Sequence, residues 1–497
     1  MRGALGLCMT VFAAGTCADQ LPSWFEPTRN YYDGPARFAW RHSEGDWLDL
    51  AGAEQGEVPF ARTTSDATQD DIEWDVTTLV RAWISTTLPN NGLMLRISSN
   101  KATLVFESLE SGTDSAPELI LQMADSTQMR LRAQRDAHVD RSTTKTLAAR
   151  RKLSISSDGK FALIAFELPP ELRAADLRQA VLRLRLEKHY GKRPFSIDVF
   201  AADPGGAGYP EMPRAGLAVG FENDQGIERH PQVIFASGFE RETLAGQWGD
   251  QFSDRATLVT HDEVNAFEVL AGEALSVTVP AGKLTGLNAS VRFADRLDRE
   301  PEELFFRYYL RLSPNWIPAT GGKLPGISGD YGRAGWGGRT SNGANGWSMR
   351  GRFGIRLDER HPLANGTALG FYAYHAKMTD TYGDNWIWER QRRGVVAPAR
   401  WYAIEQHVKL NTPGKPDGVA RAWVDGRLAF EKSDVQFRTT DELKIERVWM
   451  NVYHGGTKPA PRDLTLFIDN VVVARQYIGP MNRGTRKEHD QWWFNSR

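Results

Sequence analysis

From Leu182 to Leu186 apolar and basic side chains alternate strictly. A period of two places one set on each face of a β-strand, whereas on a helix it would scatter the apolar residues around the axis. Similar short runs recur. Ala422-Trp423-Val424 leads into Asp425-Gly426, a strand entering a tight turn, and 464–473 (LTLFIDNVVV) reads as a late strand pair. Helical periodicity is convincing only in short places such as Thr77 to Ile84. With 46 glycines and 25 prolines punctuating the chain, many short strands separated by turns predict a mainly β protein of sandwiches or jelly rolls.

A chain of 497 residues exceeds what one core ordinarily spans, so two or three domains are expected. The clearest boundary is the Gly/Pro-rich stretch Asp203-Pro-Gly-Gly-Ala-Gly-Tyr-Pro-Glu-Met-Pro213. It divides an N-terminal β-sandwich region (22–203) from a linker (204–231), a C-terminal β-domain (232–480) and a polar tail (481–497) with Trp492 and Trp493. Residues 1–18 read as a secretory signal. Arg2 precedes an apolar stretch from Ala4 to Ala14, and Thr16-Cys17-Ala18 is a small-residue ending. Lipidation at Cys17 is the alternative, disfavoured by Thr16 before it. The two cysteines, Cys8 and Cys17, both fall in this segment, so a chain cut after Ala18 has no disulfide, thiolate nucleophile or Cys-bound metal. No later apolar run matches a bilayer span, and the expectation is an exported, soluble, monomeric protein, secreted or periplasmic.

Lys+Arg total 61 against Asp+Glu 62, which excludes a whole-chain polyanion binder such as a basic nucleic-acid-coating protein. A local basic cleft is still permitted. The motifs of phosphate loops, zinc helices, nucleophile elbows and dinucleotide folds are absent, and the ten histidines show no metal-ligand spacing. Glu389 and Glu405 stand alone in their runs, which weakens a two-carboxylate glycoside hydrolase.

Residues 321–374 concentrate the chemistry. Gly321-Gly322-Lys323-Leu324-Pro325-Gly326 sets a lysine in what reads as a glycine-flanked turn. After a Gly-rich stretch containing Gly337-Gly338-Arg339 come Trp347-Ser348-Met349-Arg350 and Phe371-Tyr372-Ala373-Tyr374-His375. On strands, Ser348 and Arg350 share one face, as do Tyr372 and Tyr374. Between Lys323 and Leu410 there are 13 Lys/Arg and 7 Asp/Glu. An aromatic, cationic patch suits an acidic sugar polymer better than a neutral one. Taken singly, each of these motifs is more often an ordinary sheet face or turn.

In this order and company the stretch from about Val233 to Pro480 resembles the family-14 polysaccharide lyases, a β-jelly-roll group cleaving alginate and glucuronan. The resemblance rests on Gly-Gly-Lys323-Leu-Pro-Gly, Gly-Gly-Arg339, Ser348-x-Arg350, Tyr372-x-Tyr374, the run from Trp401 to Asn411-Thr-Pro-Gly, Trp423-Val-Asp-Gly426, Gly455-Gly456 and Asp469-Asn470. It implies β-elimination without a cofactor or metal, with Lys323, Arg350, Tyr372 and Tyr374 catalytic. Ser348, Arg339, Trp347, His375, Gln406 and Lys409 are expected to bind the acidic polysaccharide. Cations beside the tyrosines are expected to favour phenolate and lower the phenol pKa. The 352–366 stretch looks longer than the family pattern, so the cleft edge is expected to differ. A non-catalytic glycan-binding protein and a hydrolase on the same scaffold are the rival readings.

Upstream, Trp74-Asp-Val-Thr-Thr-Leu-Val-Arg-Ala-Trp83, Asn90 to Arg96 and Pro117-Glu-Leu119 resemble half of a DNRLRE-type β-sandwich, and 126–201 resembles the other half. Two incomplete copies in tandem and one sandwich built from both halves remain alternatives, as do a carbohydrate-binding module and a spacer.

Overall fold

The computed structural model describes residues 24–204 and 215–483, apart from 43, 86, 100, 113–114, 242–247, 249–255 and 266. The expected signal segment and tail lie outside the described residues. Among the described residues the chain forms two compact units, one comprising 24–30 and 42–204, the other 31–41 and 215–483.

The first unit is an antiparallel β-structure around one core, and its two halves interleave. Leu93–Ile97 lies between Phe195–Ala202 and Lys160–Ala165, and Thr103–Glu107 lies between Lys152–Ser156 and Leu177–Tyr190. Strands from before and after residue 126 are thus hydrogen-bonded within one twelve-stranded sheet. The α-helix Thr77–Ile84 buries Leu79, Val80 and Trp83 along one face. Asp75 starts it by accepting the backbone N–H of Thr77 at 3.0 Å and its hydroxyl at 2.6 Å.

The second unit is a sandwich of two antiparallel sheets, eight-stranded and seven-stranded. Sequence alternation explains the seven-stranded sheet. In Trp347–Arg356, Trp347, Met349 and Phe353 face the shared core while Ser348, Arg350 and Arg352 face away. Phe371 and Ala373 do the same against Tyr372 and Tyr374 in Thr367–Tyr374. In Arg447–His454 the core residues are Val448, Met450 and Val452, opposite Trp449, Asn451 and Tyr453. Strand Gly322–Gly329 breaks the period. Leu324 and Ile327, three apart, both reach the core because a register shift between Leu324 and Gly326 resets the phase.

Three expectations are corrected here. The run 464–473 is one 11-residue strand, Leu464–Ala474, rather than a pair. Asp-Asn, a common turn dipeptide, instead places Asn470 at φ 43° where the register slips against Arg307 and Tyr309. Residues 31–41, from inside the expected N-terminal region, are built into the second unit as a hairpin of Tyr31–Asp33 and Phe38–Ala39. Finally, the later part of the expected linker is folded. Leu217 and Ile227 are buried, and Asp224 forms a two-point ion pair with the fully buried Arg307 through Oδ1 at 3.2 Å and Oδ2. No long-range charge pairing of this kind is visible in local sequence.

Removing one partner of a buried pair leaves the other charge uncompensated, at a cost of about 3–5 kcal/mol. Asp224→Ala is therefore expected to lower the thermal unfolding temperature and to speed amide exchange in the adjacent strand Glu303–Leu312. Unchanged exchange there would show that Asn470 O and Gly479 O, which also accept from Arg307, suffice to hold it.

Candidate active site

The outward face of the seven-stranded sheet floors a cleft of about 760 Å³. Ser348 stands opposite Tyr374 and Arg350 opposite Tyr372, while Lys323 pairs with Arg352 on one side and Tyr453 on the other. The lysine thus lies within a strand, not in the glycine-flanked turn its neighbours suggest. The glycines serve close strand approach. A Cβ on Gly322 would lie 2.2 Å from Tyr453 O, and one on Gly326 would lie 2.4 Å from Arg350 Cα. Pro325, which cannot donate to a ladder, sits at the bulge between them.

Lys323 Nζ donates to Gly455 O at 3.0 Å and stands 4.5 Å from the ring centre of Tyr372. Arg350 is 5% exposed, lies over Trp449 at 4.8 Å and Tyr372 at 5.7 Å, and donates to Asn451 Oδ1 at 3.3 Å. Its Nε has no hydrogen-bond partner. Tyr372 and Tyr374 meet edge to face at 5.6 Å. Tyr374 is fully buried under the Gly-rich loop, whose Gly338 N–H donates to its hydroxyl at 3.3 Å; Gly338 has φ 83°, and its neighbour Gly337 lines the cleft with Trp336. Among the described residues, the cleft lining holds Lys323, Arg350 and Arg352 and no carboxylate.

That imbalance sets the protonation states. Burial, then Arg350 and Arg352, hold the Lys323 amine down to about 8. Burial lowers Arg350 and Arg352 to about 10 each. Tyr372 moves against expectation. Burial and Tyr374 push it up to about 12, outweighing the opposing pull of Arg350.

The four residues expected to be catalytic come together in this cleft; those expected to bind substrate do not. Ser348 is buried beneath it and donates to Gly335 O at 2.6 Å. Trp347 points into the core, donating to Lys444 O at 3.1 Å, because it occupies the opposite phase of the strand from Arg350. Gln406 is buried on the other sheet and reaches across the sandwich to Pro325 O at 2.8 Å. Lys409 is exposed at the end of that same far strand, Trp401–Lys409. His375 is engaged by Asp384 at 2.7 Å, and Arg339 is exposed beside the cleft, its guanidinium over Trp336 at 4.5 Å. The structure adds Arg352, Trp449, Asn451 and Tyr453 to the lining. Extending the i, i+2 alternation one step past Ser348-x-Arg350 finds Arg352, and Trp449-x-Asn451-x-Tyr453 follows the same rule.

A β-sandwich presenting lysine, arginine and tyrosine in a carboxylate-free cleft has the form of a polysaccharide lyase rather than of a two-carboxylate hydrolase. Residues 270–462, within the second unit, match the family described as Polysaccharide lyase 14. No curated protein sequence matches the chain. Among solved structures, the PL-14 alginate lyase from Aplysia kurodai is 18% identical, with 48% of this chain and 98% of that chain covered at a TM-score of 0.39. An alginate lyase from Chlorella virus is 16% identical over 49% and 100% of the two chains at 0.37. The endo-beta-1,4-glucuronan lyase from the fungus Trichoderma reesei is 15% identical over 49% and 96% at 0.34.

Replacing Arg350 by methionine removes one cation while keeping the site filled. The Lys323 amine is then expected to titrate above its present value of about 8. Nitrogen-detected NMR titration of the lysine side chains checks this, and an unmoved midpoint would mean that burial and Arg352 set the value without Arg350.

Proposed function

We propose that the protein is an exported lyase that depolymerises a uronate-rich polysaccharide by β-elimination, with Lys323 as base and Tyr372 as acid. The observation that carries this reading is the set of three cations lining the cleft around Tyr372 with no carboxylate among them. Such a site has desolvated its cations in advance and lacks only an anion. The alginate and glucuronan lyases that share the fold act on polymers of this charge.

The elimination removes the proton at C5, next to the sugar carboxylate, and expels the oxygen at C4. Deprotonation puts a second negative charge beside the first, so donors and cations must face that carboxylate. Arg350, which lines the cleft and lies over the Tyr372 ring, takes this role. The amine of Lys323 accepts the C5 proton, the C4–O bond breaks as the C4=C5 bond forms, and the Tyr372 phenol protonates the departing oxygen. Magnitudes decide which group is the base. With a pKa of about 8, about one tenth of Lys323 is neutral at pH 7, whereas a phenol at about 12 is ionised to about one part in 10⁵. The two groups are adjacent, so the ammonium and phenolate left after turnover can exchange the proton back through solvent. Base and acid reach the sugar from one side. That favours units whose C5 hydrogen and C4 oxygen lie on one face, β-D-mannuronate and β-D-glucuronate, over α-L-guluronate.

The lone acidic residues do not supply a hydrolase. Glu405 is buried and accepts the backbone N–H groups of Ile478 and Gly479, both at 2.8 Å, and Glu389 accepts Ala39 N–H at 2.8 Å. Export rests on the N-terminal segment; among the described residues no helix is long and apolar enough to cross a membrane.

Incubation with polymannuronate or glucuronan is expected to raise near-ultraviolet absorbance from the C4=C5 bond, with polyguluronate slower. Lys323→Ala and Tyr372→Phe are expected to lower kcat by 10²-fold or more. Saturated products would instead establish hydrolysis, and retention of polymer without any product would establish a binding protein. Because the base must be unprotonated, kcat/KM is expected to rise about tenfold per pH unit below 8 and to level above it. A profile flat from pH 6 to 9 would exclude Lys323 as base.

A further inference from the structure

We propose that the hairpin of residues 31–39 extends the cleft into a second anion subsite, where Arg37 and Arg352 hold the carboxylate of a uronate unit beyond the one being cleaved. This rests on the lyase reading and deepens it. The hairpin lies outside the matched residues 270–462.

Its anchoring is extensive for a nine-residue segment. Asp33 is fully buried. Its Oδ1 accepts Ala36 N–H at 3.0 Å and closes the turn, while its Oδ2 lies 2.8 Å from His361 Nε2 and 3.1 Å from Arg392 Nη2. Tyr32 donates its hydroxyl to Glu389 O at 2.7 Å. His361 belongs to the 352–366 stretch, so the hairpin and that stretch are joined to each other through one carboxylate.

Between them lies a cavity of about 670 Å³, the size of a sugar-binding site. It shares Thr320, Gly321, Arg352 and Asn385 with the active cleft, so the two are continuous. Its carboxylates are already engaged. Glu389 holds Ala39, and Glu431 accepts from Arg421 at 2.6 Å. Lys432 is likewise paired, with Asp434 at 2.6 Å. Arg37 and Arg352 are not. Neither has a carboxylate partner among the described residues, and after burial the nearness of Arg37 is what most disfavours the charge on Arg352. Two guanidinium groups facing one cavity repel each other until an anion lies between them. The backbone under Arg37 is set by the turn, with its N–H donating to Gly34 O at 3.2 Å and φ at 59°, while its side chain is exposed. Trp386 and Phe430, parallel within 11°, supply an apolar floor for the sugar ring.

The test compares the full chain with Arg37→Asn, a residue at home at that φ, and with Arg37→Lys, on uronate oligomers of increasing length. Arg37→Asn is expected to lower kcat/KM about tenfold on long oligomers through KM, with little loss on the shortest oligomer cleaved. Arg37→Lys is expected to recover most of it. Equal loss at every length, or none, overturns the subsite while leaving the lyase reading intact. Absence of any unsaturated product from the unaltered protein overturns both.

Discussion

The site depends on three cations, Lys323, Arg350 and Arg352, held on one sheet face with no counter-charge in the cleft they line. Withdrawing a guanidinium from water without a partner is unfavourable, and hydrogen bonds such as that from Arg350 to Asn451 recover part of the lost solvation. The remainder is borne by the sandwich behind it, where Trp347, Met349 and Phe353 on the same strand are fully buried. The stability of the core is thus converted into readiness for an anion. The same desolvation separates the proton affinities of Lys323 and Tyr372, lowering the one to about 8 and raising the other to about 12. On the proposed reading, one physical cause prepares the carboxylate site, the base and the acid.

Position matters as much as charge. Lys323 reaches Tyr372 from a neighbouring row of the sheet because Trp347–Arg356 intervenes between their two strands with the ladder in close register. The bulge at Pro325 shifts phase, so that Lys323 stays outward while both Leu324 and Ile327 stay inward. A regular strand would carry only one of that pair to the core. Gln406 braces the bulge by donating to Pro325 O from the opposite sheet, which explains how a polar side chain from the far side of the sandwich comes to lie beneath a catalytic strand without touching the cleft.

Alternation made the sheet faces legible, because a period of two follows from backbone geometry alone. Ser348, Arg350, Tyr372 and Tyr374 could be assigned to faces from their spacing, but which face was buried could not. The core is what hides Trp347 and leaves Ser348 beneath the loop. The direction of the Tyr372 shift was also illegible. Neighbouring cations can be inferred from a motif, whereas the loss of water that outweighs them is a property of the assembled cleft. Pairs distant in the chain, Asp33 with His361 and Asp224 with Arg307, leave no local signature, since each charged residue alone reads as solvated surface.

Those distant pairs fix the ends of the cleft by a different means from its floor. The floor consists of core strands, in which any change of phase would move an apolar side chain out of the sandwich and a cation into it. The edges are different. The 31–41 hairpin and the 352–366 stretch meet through Asp33 and His361, so their placement relies on a few buried polar contacts rather than on the phase of a sheet. A buried pair of this kind contributes little net stability but fixes one arrangement against its alternatives, because any other docking leaves a charge unpaired. Arg37 is therefore held at the rim by an element separate from the strands that carry Lys323 and Tyr372. The rim is where selection among acidic polymers can act independently of the chemistry that cleaves them.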